Sequence, residues 1–169
     1  SEIERRLALS RANAEWALAH RRRHDLPLFA SLPAGPGLSR ERLCAHAAAL
    51  AEAGFEGIAL GGLVPMAREP EALLARVDAV RSAVPDHLLH VFGLGSPALL
   101  RALFSLGVDS ADSSGWARAA ADGRLWGEAA RRIPDPGPVE RLNLALCNLA
   151  AASGRAMPLS VAETWFSLP

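Results

Sequence analysis

The sequence contains no lysine, no glutamine and no tyrosine. Without lysine there is no Schiff-base amine, no pyridoxal attachment and no phosphate-loop ammonium group. All 18 basic residues are therefore arginine, and 18 acidic residues balance them. A net charge of zero provides no global attraction to a polyanion and leaves any nucleic-acid contact to a local patch. Cysteine is scarce, with Cys44 and Cys147 the only two. Two cysteines make no disulfide framework and cannot by themselves complete a four-ligand zinc site. No metal and no cofactor are expected. No apolar run reaches the length of a membrane span, and charge is spread through the first 25 residues, unlike a signal peptide. A cytoplasmic protein with no membrane partner is the expectation.

What is present is a chain of 169 residues, half of them hydrophobic, enough to bury a core. Residues 2–22 read as a helix with a loose apolar face of Ile3, Leu7, Leu9, Ala14, Ala17 and Leu18. The apolar run Leu26–Leu32 reads as a strand that enters the loop Pro33-Ala34-Gly35-Pro36-Gly37. Ser39 is an N-cap for a helix that stops at Gly54. A second strand, Gly57–Leu60, ends in Gly61-Gly62, and residues 69–83 follow as a helix. A third strand, Leu88–Phe92, ends in Gly93-Leu94-Gly95. Ser96 and Pro97 then open a helix to Leu106, and Val108–Ala111 is the fourth strand.

Strands that are short, apolar and non-alternating are expected when both sheet faces are covered. The order is α/β with parallel strands joined by helical crossovers. Four β/α units are half of an eight-fold barrel, which as a whole needs about 250 residues; a doubly wound open sheet is the competing arrangement. Beyond Gly123 the pattern changes. Residues 126–138 read as a Pro-rich connector and 139–169 as a helical C-terminal extension, with a helix over 139–152 and a final turn from Ser160 to Trp165.

In parallel α/β folds, the C-terminal ends of strands form the active-site face. Here those ends read Pro33-Ala34-Gly35, Gly61-Gly62, Gly93-Leu94-Gly95 and Asp112-Ser113-Ser114. Glycines there either make tight turns or let a flat ligand approach the backbone. Asp112 suits two roles, a carboxylate nucleophile or base and a helix N-cap, while Asp109 lies three residues away and need not face the same site. Among His20, His24, His46, His87 and His90 none has metal-ligand spacing, and His90, inside a strand, reads as a hydrogen-bonded core residue. Ser113 and Ser114 lack a nucleophile-elbow motif. Arg5, Arg6, Arg11, Arg21, Arg22 and Arg23 make the first helix basic, either as a solvated face or as a phosphate-binding one.

Three ordered segments resemble the tRNA-guanine transglycosylase family. Gly54–Leu63 (GFEGIALGGL) is similar to its base-binding strand and His90–Pro97 (HVFGLGSP) to the next one. Gly107–Arg124 (GVDSADSSGWARAAADGR) is similar to the catalytic strand and following helix, in the form of the archaeal-type and DNA-modifying relatives. The resemblance covers residues 1–125 and implies half of a TIM-type (β/α)8 barrel.

It also implies base exchange, in which Asp112 attacks the ribose C1′, guanine leaves and a 7-deazaguanine replaces it. Backbone groups of Gly61, Gly62, Leu63 and Gly93 would read the base, Phe92 would stack on it and Arg118 would lie near phosphate. The implied partners are nucleic acid (tRNA or DNA), the 7-deazaguanine base, and a second chain that supplies the N-terminal half-barrel, or a homodimer. The family's base-reading glutamine falls at Pro33, and its C-terminal zinc site needs three cysteines. Those departures support an alternative, a non-catalytic subunit of a transglycosylase-like complex.

Overall fold

The structure, a computed structural model, describes residues 2–126 and 132–154. Its elements are α1 (Glu2–Ala19), β1 (Phe29–Pro33), α2 (Arg40–Glu52), β2 (Gly57–Gly61), a 3₁₀ turn (Val64–Arg68), α3 (Pro70–Ala83), β3 (Leu88–Val91), α4 (Pro97–Ser105), β4 (Ser110–Ala111), α5 (Gly115–Ala121) and α6 (Pro138–Ala152). The predicted final turn at 160–165 and the rest of the extension beyond 154 lie outside the described residues, as do residues 127–131 of the connector.

Local chemistry explains the boundaries. The Ser39 side chain accepts from the Arg42 N–H to open α2, and Gly54, at φ 98°, follows its end in the left-handed conformation that a glycine adopts without a Cβ clash. Proline at the first position opens α3 and α4. The first helix is shorter than its periodicity predicts: it ends at Ala19 and buries Leu7 alone, while Ile3 and Leu9 are exposed. The helix lies beside β1, where Ser10 Oγ donates to the Ser31 carbonyl at 2.8 Å.

The four strands are all parallel and lie in chain order, β1-β2-β3-β4. One register row crosses the sheet as Ser31, Ala59, His90 and Ser110, and the next as Leu32, Leu60, Val91 and Ala111. Side chains alternate between faces along a strand. One face carries Ala30, Leu32, Ile58, Leu60, Leu89 and Val91, each 2% exposed or less, with α2 packed on β1 and β2. The other face carries Phe29, Ser31, His90 and Phe92, and burial alternates along β1 and β3. The expectation of two covered faces therefore fails on β1 and β3. Between them, Gly57 and Ala59 of β2 are buried on this same face, so exposure is confined to its β1 and β3 positions.

The fold is α/β, with four parallel β/α units that amount to half of a TIM-type (β/α)8 barrel. The chain divides into two compact units, Ser1–Gly93 with Ala102–Asp112, and Leu94–Arg101 with Ser113–Pro169. The first contains the whole sheet. In the second, Ala120, Leu125, Leu144 and Cys147 form a core with Ile133 and Ala145 against it. Asn148 is fully buried there and meets its needs with three hydrogen bonds: Oδ1 accepts from the Trp126 N–H at 2.6 Å, and Nδ2 donates to the Trp116 and Arg124 carbonyls at 3.1 and 2.9 Å. Among the described residues, no helix is long and apolar enough to cross a membrane.

Candidate functional site

The site grows from the way β4 ends. Only Ser110 and Ala111 pair with β3, opposite His90 and Val91. The next residue, Asp112, still donates its N–H to the Val91 carbonyl, at 3.3 Å. Two residues beyond Ser110, its side chain returns to the face that carries Ser110 and His90.

There the Asp112 Oδ1 accepts from the Gly93 N–H at 3.0 Å and lies 3.4 Å from the His90 Nε2. The His90 Nδ1 is 2.8 Å from the Ser110 hydroxyl. The Asp112 side chain is 61% exposed, and among the described residues no donor holds its Oδ2. Gly93 makes this possible. It sits at φ 76°, and a Cβ there would come within 2.8 Å of Val64 Cγ2.

Phe92 projects from the end of β3, 42% exposed, with its ring 4.7 Å from that of His90 and at 72° to it. A Cβ on Gly61 would stand 3.9 Å from Phe92 Cδ2, so the ring reaches the end of β2. Gly61 gives its carbonyl to the Ala34 N–H at 2.7 Å. Gly62 turns the chain at φ 76° and approaches Gly35 so closely that a Cβ on Gly35 would meet the Gly62 carbonyl oxygen at 3.0 Å. The Leu63 side chain is fully buried, and its carbonyl accepts from the Met66 N–H at 2.9 Å. Beside this end of β1 and β2 an open cavity of about 190 Å³ is lined by Ile3, Arg6, Gly35, Leu38 and Gly62, among others.

The first unit therefore brings Asp112, Gly93, Phe92 and Gly61 together at neighbouring strand ends, with Gly62 and Leu63 directly after them. Arg118 belongs to the second unit. It is exposed, and its Nε and Nη2 lie 3.1 and 2.7 Å from the Ser114 hydroxyl. Asp112 is not the N-cap of α5: that position is Ser114, whose side chain makes no cap hydrogen bond, and the Gly115 N–H goes to the Ser113 hydroxyl at 2.9 Å. Asp109 is committed away from the cluster: its Oδ2 accepts from the Leu89 N–H at 2.8 Å and lies 3.6 Å from Arg81 Nη1. Among the described residues, no group of three or more His, Cys, Asp and Glu side chains could hold a metal ion.

Sequence reasoning missed the functional company of His90. It is hydrogen-bonded, as a core histidine should be, but one of its neighbours is the Asp112 carboxylate. The strand register that sets position 90 opposite 110 carries that information, and no local motif encodes the register.

Comparison with known proteins adds a family. Residues 1–148 match the family model described as queuine tRNA-ribosyltransferase. A queuine tRNA-ribosyltransferase of Cereibacter sphaeroides is 32% identical over 112 residues, an alignment that takes in 62% of this chain and 30% of that relative. The chain thus spans less than a third of that relative's length.

Proposed function

Because this chain belongs to the queuine tRNA-ribosyltransferase family, we propose that it is the nucleophile-bearing half of a transglycosylase that replaces guanine in a nucleic acid by a 7-deazaguanine. The observation that carries this reading is the tethered carboxylate of Asp112, with Oδ1 held by the Gly93 N–H and the side chain open to solvent at a strand end. Its Oδ2 attacks the ribose C1′ through an oxocarbenium-like transition state, as in retaining glycoside chemistry. The C1′–N9 bond breaks, its electron pair leaves on guanine, and guanine takes up a proton. The incoming 7-deazaguanine gives up its N9 proton, which balances the one guanine took up, and its N9 bonds to C1′ as the Oδ2–C1′ bond breaks and returns its electron pair to Asp112.

Backbone groups of Gly61, Gly62 and Leu63 read the polar edge of the base, and Gly93 keeps the backbone low beneath it. Phe92 stacks on the base face, and Arg118 contacts phosphate. The relative's name favours tRNA as the nucleic acid. Residues 1–125 act as the half-barrel, 126–138 as a connector and 139–169 as an extension. The edges of β1 and β4 and the partly exposed sheet face call for the missing half, supplied by a second chain or by a longer parent. A second copy of this chain is the less favoured source.

The test mixes the chain, alone and with a candidate N-terminal half, with guanine-containing tRNA and, in parallel, DNA. Denaturing gels then detect a covalent adduct. Adduct formation that Asp112→Asn abolishes supports the reading, and an adduct unchanged in that variant sinks it. A stable, active monomer would overturn the need for a second half. Pro33, which ends β1 without a side-chain donor where the family's base-reading glutamine falls, favours a second reading as a non-catalytic subunit. In that case the adduct maps to the partner chain.

A further inference from the structure

We propose that His90 is a positioning residue for Asp112: through Nε2–H it holds Oδ1 and, together with the Gly93 N–H, turns Oδ2 toward the reacting carbon. This rests on the base-exchange reading of the site.

The geometry begins with the sheet. His90 and Ser110 are register partners on β3 and β4, so their side chains stand side by side on one face. Ser110 Oγ is 2.8 Å from His90 Nδ1, and Asp112 Oδ1 is 3.4 Å from His90 Nε2. A carboxylate only accepts, so a favourable contact requires the proton on Nε2. In the neutral ring Nδ1 then carries the lone pair, and the Ser110 hydroxyl donates to it. Positioning by His90 thus requires the Nε2–H tautomer, with one string running from Ser110 through His90 to Asp112.

The ring has little freedom to turn away. Its edges meet Phe92 at 4.7 Å and Phe29 at 6.5 Å between centroids, both near-perpendicular. Its side chain is 19% exposed, against 61% for Asp112. A contact of 3.4 Å is longer than a tight hydrogen bond, and catalytic contacts of that kind commonly tighten once the reacting groups are bound.

Two donors on one carboxylate oxygen serve both halves of the reaction. They fix the plane of the nucleophile for attack. Once Oδ2 is bonded to C1′, they stabilise the charge that returns to the carboxylate as it departs. A neighbour that merely filled space would do neither.

Two variants separate these roles. His90→Phe keeps an aromatic ring between Phe29 and Phe92 and removes the donor. His90→Gln removes the ring and places an amide N–H near the position of Nε2. In the assembled protein, His90→Phe should slow adduct formation and turnover about 10- to 100-fold, the scale of one hydrogen bond to a charged group. His90→Gln should recover most of that loss, even if it melts at a lower temperature. Full activity in His90→Phe, or greater loss in His90→Gln than in His90→Phe, would overturn the proposal.

If the wild-type protein forms no adduct with any nucleic acid, the base-exchange reading fails, and nitrogen NMR of the imidazole decides the positioning contact alone. An Nε2–H tautomer at His90 whose signal moves in Asp112→Ala supports the contact. An Nδ1–H tautomer, or a signal indifferent to Asp112, overturns it.

Discussion

Arg76 reaches from α3 to the loop after β1 and donates through Nη2 to the Gly35 carbonyl at 2.8 Å. The same guanidinium holds the Ala34 carbonyl through Nε at 2.9 Å and the Leu38 carbonyl at 2.6 Å. Burial pulls its pKa below the usual arginine value, the sign of a charge partly withdrawn from water. Gly35 in turn abuts Gly62, so a side chain far from Asp112 sets the loop that faces the end of β2. Arg76→Leu removes the guanidinium from three carbonyls, of which Gly35 keeps the Leu38 N–H at 3.3 Å. It should cost about 2–4 kcal/mol, seen as a lower denaturation midpoint at unchanged slope.

Gly35→Ala tests the close approach itself. The added Cβ would meet the backbone oxygen of Gly62 at 3.0 Å, and backbone gives way less readily than a side-chain tip. The expected stability loss is about 1–3 kcal/mol. If the proposed base exchange is correct, that activity should fall further than the stability loss explains, read as a raised KM for the incoming base.

Asn148→Leu tests the buried amide of the second unit. The change is close to volume-conserving, but it takes the side-chain partner from the Trp126 N–H and from the Trp116 and Arg124 carbonyls. A cost of about 3 kcal/mol or more is expected. Hydrogen exchange at the Trp126 amide should accelerate, while amides of the sheet in the first unit change less.

Glu56 gives an acid signature. Its carboxylate accepts from the Leu28 N–H at 2.8 Å and pairs with Arg21 at 2.7 Å. The backbone hydrogen bond first, and then the guanidinium, hold its pKa down to about 2, from an ordinary 4.5. A depressed carboxylate contributes stability that is fully present above the unfolded pKa and disappears as pH falls through the folded one. The stability gap between wild type and Glu56→Gln should therefore be constant above 4.5 and close as pH falls toward 2. A gap that persists to the lower pH would contradict the assignment.

Much of this molecule is legible in its residues, and the misses have physical causes. Ser39, Gly54, Pro97 and Gly107 mark helix ends by chemistry that acts within a few residues, so those boundaries hold. β4 is shorter than Val108–Ala111 because the Val108 N–H is taken by the Leu103 carbonyl as α4 closes. Leu26 looks like strand but is 52% exposed; Arg21 instead takes the Leu26 carbonyl and clasps Glu56. Arg21 itself, one of a run of three arginines, is only 10% exposed in its side chain.

Asn148 left a trace that was readable. It shares the helical face of Leu144 and Cys147, and a polar residue on such a face needs partners. The unequal faces of β1 and β3 left a weaker trace: Ser31 and His90 mark the exposed side, but Phe29 and Leu88 on it are as apolar as a buried strand requires. At the site, the glycines and Asp112 stand in local sequence, whereas the His90–Asp112 contact depends on register between strands about twenty residues apart.

The strand order, β1 to β4 in the order of synthesis, has a kinetic consequence. Each strand finds its template in the one made just before it, so every pairing closes a single crossover rather than several. The two-residue β4 is the last and weakest link in that chain of events. Asp112 gains its anchors at His90 and Gly93 only when that link closes, so the position of its carboxylate depends on the shortest strand of the sheet.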